Sequence, residues 1–248
     1  DLFEKKYKNK TKENEFDEFS EEVLLPHKLS NNGPFSLTAD VNGDDLEDVF
    51  IGGAAGQEGI LYIQNQDGSF MKNESNPWIT DKNSEDLGAV FFDIDSDGDQ
   101  DLYVTSGGSE FKQGSLLLKD RLYINNGVGN FTKKGWAVPD IFESTQTVQP
   151  SDIDGDGDLD LFVGTRLIPG KYSYPASSYI LINDKGVLKK ASTKIAPDLK
   201  DIGMVSDAVF SDIDQDGDED LLIVGEWMTI KVLENINGRF NDVSRKYG

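Results

Sequence analysis

The chain has 248 residues, of which 37% are hydrophobic and 10% aromatic, enough to bury a sizeable core as one large or two small domains. Aspartate and glutamate number 46 against 24 lysines and arginines, a formal charge of −22; this excludes nucleic acid as a partner for the surface as a whole and makes cations the natural one. The absence of cysteine excludes disulfides, thiolate metal sites and cysteine nucleophiles, and no apolar run approaches the roughly 20 residues a bilayer span needs, so no direct membrane insertion is expected.

Residues 1–30 precede the first repeat and read as the tail of a preceding unit plus a linker, because Phe3-Glu-Lys-Lys-Tyr7 resembles the closing segment Val243-Ser-Arg-Lys-Tyr247. They include the sole histidine, His27, for which the sequence offers no acid partner. From there on four acidic loops align. They are Asp40-Val-Asn-Gly-Asp-Asp-Leu-Glu-Asp48, Asp93-Ile-Asp-Ser-Asp-Gly-Asp-Gln-Asp101, Asp152-Ile-Asp-Gly-Asp-Gly-Asp-Leu-Asp160 and Asp212-Ile-Asp-Gln-Asp-Gly-Asp-Glu-Asp220. Their first aspartates are 53, 59 and 60 residues apart, which sets repeats at about 31–80, 81–140, 141–200 and 201–248.

Each loop lies between predicted strands. A short apolar stretch precedes it, as in Ala89-Val-Phe-Phe92, and a continuous apolar run follows it, as in Leu102-Tyr-Val104 or Leu221-Leu-Ile-Val224. Such runs suit strands covered on both faces. A third strand comes next (Ile60–Ile63, Leu122–Ile124, Tyr179–Ile182, Ile230–Leu233), then an asparagine with a glycine three residues on: Asn65/Gly68, Asn126/Gly129, Asn183/Gly186 and Asn235/Gly238. That spacing predicts a hairpin turn into a fourth, more polar strand. The fold class expected is all-β, as four four-stranded antiparallel propeller blades running from axis to rim; a β-sandwich is the alternative.

Positions 1, 3, 5 and 9 of the loops hold fifteen aspartates and one asparagine: Asp40, Asn42, Asp44, Asp48; Asp93, Asp95, Asp97, Asp101; Asp152, Asp154, Asp156, Asp160; Asp212, Asp214, Asp216, Asp220. Calcium takes six to eight oxygens at about 2.3–2.6 Å, and acids on alternate residues of a tight loop converge on one point. About four Ca2+ ions are expected, bound by these sixteen side chains, the first loop being the weakest. Gly98, Gly157 and Gly217 stand at position 6, where the chain must turn sharply; the first loop has Asp45 there, which must then accept a left-handed conformation. An EF-hand is ruled out, since its bidentate glutamate at position 12 is replaced by Ile51, Val104, Val163 and Ile223. The backbone carbonyl at position 7 is expected to complete each site. The bland reading is Asx turns without metal.

The motif Asp-x-Asp-x-Asp-Gly-x-x-Asp, followed by an apolar run, Leu-Tyr-Ile-x-Asn and Gly-x-Phe, resembles the FG-GAP/VCBS repeats of the integrin α-subunit propeller. Glu22-Val-Leu-Leu-Pro-His-Lys-Leu-Ser30 through Asp48-Val-Phe-Ile-Gly-Gly53 further resembles the subgroup of ASPIC/UnbV-type exported proteins and cartilage acidic protein. The resemblance covers roughly residues 20 to 248 and implies a secreted, cell-surface or periplasmic propeller with structural calcium. It also implies seven blades, so that four units form an incomplete arc.

The function expected is a binding module for a protein or glycan ligand, or a scaffold joined to other segments of a larger surface protein, and not an enzyme. The alternative is a propeller-based polysaccharide lyase or other hydrolase, for which Glu110, Glu143 and Glu226 are available acids without an evident pairing. Strand direction places the calcium loops on one face. The longer connections Gly107–Asp120 and Arg166–Ser177 lie on the opposite, second face, which is expected to carry recognition through Arg166, Lys171, Tyr172 and Tyr174. Trp78, Trp136 and Trp227 are expected on that face too, as ligand anchors or as wedges between blades.

Overall fold

In the computed structural model, which describes residues 12–23, 25–30, 33–74 and 76–248, sixteen strands form four separate antiparallel sheets. The first holds β1 (Ser36–Ala39), β2 (Asp48–Ile51), β3 (Ile60–Gln64) and β4 (Phe70–Lys72). The second holds β5 (Glu85–Phe92), β6 (Asp101–Gly107), β7 (Arg121–Ile124) and β8 (Thr132–Lys133). The third holds β9 (Ser144–Ser151), β10 (Asp160–Leu167), β11 (Tyr179–Asn183) and β12 (Leu188–Lys190). The fourth holds β13 (Met204–Ser211), β14 (Asp220–Glu226), β15 (Lys231–Asn235) and β16 (Phe240–Asp242). Within each sheet the strands follow chain order, and the first strands of successive sheets lie beside one another. These are propeller blades, with the first strand innermost. The segment Phe3–Tyr7 lies outside the described residues.

In the second and third blades the second strand is the most deeply buried. β6 and β10 are buried along their whole length, which explains why their sequences are apolar without alternation. Three apolar clusters fill the spaces between blades. Phe50, Leu61, Trp78, Leu102 and Tyr123 join the first to the second; Tyr103, Leu122, Leu161 and Leu181 the second to the third; Phe162, Ile180, Leu221 and Leu233 the third to the fourth. Trp78 is a wedge, 2% exposed, with its ring edge-on to Phe50 and Tyr123.

A polar joint repeats at each interface. The side-chain amide of Asn125 donates to the carbonyl of Val41 (2.7 Å), that of Asn183 to Ile94 (2.7 Å) and that of Asn235 to Ile153 (3.2 Å). Each acceptor is position 2 of the preceding blade's acidic loop. The turn glycine of the later blade sits against the same loop: a Cβ on Gly186 would lie 3.3 Å from that of Asp95, and one on Gly238 3.3 Å from that of Asp154, at φ of +80° and +76°. Glycine is thus required both by its left-handed backbone and by close approach. The asparagines differ in part from those expected. The equivalent strand-end residues are Gln64, Asn125, Asn183 and Asn235, so the first two repeats are offset by one from Asn65 and Asn126, which instead shape their own turns.

At the ends of the series the joint has no counterpart. A Cβ on Gly68 would meet nothing within 4 Å, and on the last blade Val209 and Val224 are 48% and 37% exposed. Among the described residues no apolar cluster joins the fourth blade to the first.

Residues 12–23 and 25–30 cross the second face. Lys12 and Gln57 exchange hydrogen bonds, Glu18 accepts from Ser109, Glu22 accepts from the backbone N–H of Tyr172, and Leu25 and Leu29 pack on Leu167 and Met204. On the same side a buried ion pair within the second blade holds the carboxylate that bonds the first. Arg121 donates to Asp86 at 2.6 Å, and the other oxygen of Asp86 accepts from the N–H of Gly53. Removing one partner of such a pair leaves a buried charge uncompensated. Arg121→Ala is therefore expected to cost about 3–5 kcal/mol in chemical denaturation; a loss below about 1 kcal/mol, typical of an exposed pair, would show that the pair is no clamp.

Candidate metal loops and the opposite face

The four acidic loops share one hydrogen-bond scheme. The position-1 carboxylate accepts from the N–H of position 6: Asp40 from Asp45, Asp93 from Gly98, Asp152 from Gly157 and Asp212 from Gly217. The position-5 carboxylate accepts from the N–H of position 7, as Asp97 does from Asp99. Position 6 is left-handed in every loop, with φ of +93°, +95° and +100° at Gly98, Gly157 and Gly217 and +64° at Asp45. The first loop adopts the strained turn without glycine. Position 4 is left-handed as well, at Gly43, Ser96, Gly155 and Gln215; with serine and glutamine there, the sequence carried no signal for it.

Position 9 has a second role that the sequence did not show. One oxygen of Asp48, Asp101, Asp160 and Asp220 accepts from the N–H of loop position 2, and the other from the N–H at the end of the third strand. All four residues are at most 2% exposed. Burial pushes the carboxyl of Asp101 up to about 7 and that of Asp160 to about 6, against the lowering effect of their backbone bonds. Asp40 goes the other way: burial raises it, but four backbone N–H bonds outweigh that and leave it below the usual carboxylate range.

Three loops gather acid oxygens within 4.8 Å of one another, from Asp93, Asp95 and Asp101, from Asp152, Asp154 and Asp156, and from Asp212, Asp214 and Asp220. Asp97, Asp160 and Asp216 stand outside these triplets. One oxygen of Asp95 is buried without a hydrogen-bond partner. Burial followed by the charges of neighbouring aspartates raises Asp95 and Asp154. Converged, mutually repelling oxygens with an orphaned acceptor among them fit a hard cation. In the first loop the amide of Asn42 donates to Asp44 at 3.2 Å, so an internal donor occupies that carboxylate.

On the second face Tyr172 and Trp227 meet edge to face, centroids 6.5 Å apart, with the indole N–H donating to the Tyr172 hydroxyl at 3.1 Å. Trp227 is 71% exposed at φ +55°. Beside them Glu21, Glu22, Val23, Lys171, Tyr172 and Tyr174 line an open groove of ≈ 610 Å³. Arg166 lies beneath, buried, holding Glu226 at 2.6 Å. His27 has an acid neighbour after all, 4.0 Å from the same Glu226. Trp136 does not join this group. Its ring is 5.6 Å from the ammonium of Lys134, which reaches Asp95 of the second acidic loop at 3.9 Å. Glu143 pairs with Tyr179, apart from both Glu110 and Glu226.

A family model described as the FG-GAP-like repeat matches residues 40–104 and 110–163. A search among curated proteins finds no match. The two matched stretches take in the first three acidic loops and leave the fourth to be assigned by the geometry it shares with them.

The dual use of position 9 separates structure from metal binding. Asp160→Asn puts an amide N–H2 where an acceptor is needed and is expected to cost about 1–3 kcal/mol even in excess chelator. Asp154→Asn, at an exposed position, is expected to lower the melting temperature only when calcium is present. Equal effects of chelator on both variants would show the two positions to be equivalent.

Proposed function

The chain belongs, through residues 40–104 and 110–163, to the FG-GAP-like repeat proteins, and from that premise we propose that it is a calcium-stabilised, exported binding module whose second face recognises a glycan. The acidic loops serve as struts. Each ties the first and second strands of its own blade and supports the asparagine and glycine of the next, so an ion bound there stiffens a blade and its joint together. Asp93, Asp95 and Asp101 in the second loop, Asp152, Asp154 and Asp156 in the third, and Asp212, Asp214 and Asp220 in the fourth would hold Ca2+, with the first loop weakest. The arc of four blades would be completed by further blades, because the joint is left open at Gly68 and at the Val209/Val224 face.

The observation that carries the glycan reading is the aromatic pair Tyr172–Trp227 beside the groove. Flat rings with polar tips suit sugar faces and hydroxyls. A non-glycine residue held left-handed with a fully presented indole is strain of the kind found at binding sites. A catalytic reading finds less support, since Glu226 is held by Arg166 and its imidazole neighbour is 4.0 Å away and exposed.

Two measurements test this. Saturating calcium at 100 times its dissociation constant adds about 2.7 kcal/mol per site, so chelation is expected to lower the melting temperature markedly; an unchanged melting curve, with no metal by elemental analysis, would refute the strut role. In a glycan-array screen followed by titration, Tyr172→Ala and Tyr174→Ala are each expected to weaken the bound glycan about tenfold, some 1.4 kcal/mol, with the melting temperature unmoved. Binding that survives those changes and is lost on altering Trp136 would move recognition to the calcium side.

A further inference from the structure

We propose that a recess on the second face, where the first blade hands over to the second, is a binding site for one neutral sugar ring, separate from the groove at Tyr172 and Trp227. Its walls are the link from β4 to β5, the connection from β6 to β7 and the start of the link that leaves β8. The two sites share no lining residue. The recess holds ≈ 260 Å³, just under the roughly 300–1,000 Å³ of sites for drug-sized ligands, so it has room for a single ring and not for a chain of sugars. Three polar groups on its wall lack a partner on the protein. Arg121 is 4% exposed, and of the five N–H donors a guanidinium carries, Nε is engaged by the Ser106 hydroxyl at 3.1 Å and Nη2 by Asp86 at 2.6 Å. Among the described residues Nη1 finds no acceptor, yet it is not one of the sealed, unpaired atoms of the interior, so what it faces is the recess. The side chains of Asn83 and Ser84, on the same wall, likewise make no hydrogen bond among the described residues.

The charges around the recess are met from within the protein. Lys133 holds Asp81, which also accepts from the Tyr123 hydroxyl; Lys119 holds Asp140, and Arg121 holds Asp86. Asp120, the remaining acid, is buried and accepts from Tyr103, from the N–H of Ser106 and from Thr145. Three cations thus stand against four carboxylates, and an entering anion would meet an excess of negative charge in a chain that already carries −22. A hydroxyl brings no charge. It accepts from the guanidinium and the Asn83 amide and donates to a carboxylate or to Ser84, the double role that every sugar hydroxyl can fill. Leu116, 76% exposed, and Leu117 give the recess an apolar side, where the carbon face of a ring sheds water. A wholly apolar ligand would leave the guanidinium and the amide unpaired. The fit is therefore to a neutral ring that carries several hydroxyls.

The test uses the whole chain with calcium chloride present, and D-glucose, D-galactose, D-mannose and D-glucuronate as the probes, followed by nitrogen–proton NMR. At least one of the three neutral hexoses is expected to shift the Arg121 side-chain N–H and the amides of residues 80–84 and 116–119 saturably, with glucuronate weaker. Arg121→Ala removes half of a buried ion pair and so costs stability; the recess is probed instead at Asn83 and Ser84, whose side chains bond nothing else among the described residues. Asn83→Ala and Ser84→Ala are each expected to weaken that hexose about threefold to tenfold, the contribution of one hydrogen bond, with the melting temperature unmoved. Tyr172→Ala is expected to leave its affinity unchanged. No saturable shift from any of the three hexoses, tighter binding of glucuronate, or wild-type affinity in both alanine variants overturns the proposal. Hexose binding lost in Tyr172→Ala and kept in the other two variants also overturns it, and places the sugar in the groove. If the glycan screen finds nothing for the groove while a hexose binds the recess, this site stands and the Tyr172–Trp227 reading fails.

Discussion

The buried aspartate that ends each acidic loop is the interaction on which the rest of the structure depends. Its two oxygens receive N–H groups from the loop and from the end of the third strand, so one side chain fixes the first hairpin of a blade and the distance to its third strand. The residue whose N–H it receives is the asparagine whose amide crosses to the preceding blade. Registration within a blade and registration between blades are thus consecutive bonds of one chain. The local cost is a carboxylate buried among other acids, which is why Asp101 and Asp160 sit high in the carboxylate range. A cation bound in the loop, as proposed, would offset that cost.

Because the joint is directional, the series has two different ends. The first blade presents the donor half, Gln64 and Gly68, and the last presents the acceptor half, the loop at Asp212 to Asp220 and the apolar surface beside it. Each internal interface combines an apolar filling with one polar bond to a backbone carbonyl. The filling contributes most of the energy; the polar bond selects the register, since a blade displaced by one residue would leave both a buried amide and a buried carbonyl unpaired.

The two faces are built on different chemistry. On one, the chain folds acidic loops of fixed length that repeat. On the other, the connections vary in length and residues 12–23 and 25–30 lie across them, held by hydrophobic contact at Leu25 and Leu29 and by hydrogen bonds to glutamates. Repeated short loops give rigidity, while variable connections give room for a groove and exposed rings. This contrast is what supports the proposal that recognition lies on the second face.

The sequence alone determined the four repeats, their four strands each and the loop that carries the acids, because these rest on local patterns: alternate aspartates, glycine where the backbone turns left-handed, and apolar runs too continuous for a one-sided strand. It also required a left-handed Asp45, since the turn leaves no other conformation there. Only the tertiary structure decided what lies between distant segments. It placed Asn125 rather than Asn126 at the joint, because the choice depends on which amide reaches a carbonyl of the preceding blade. It buried Trp78, exposed Trp227 and turned Trp136 toward Lys134, although all three read alike as tryptophans in connections. It laid residues 12–23 and 25–30 over the second face and brought Asn83 and Ser84 to the recess that Arg121 lines. Sequence spacing has no term for such encounters, which are fixed by the shape of the surface each side chain meets.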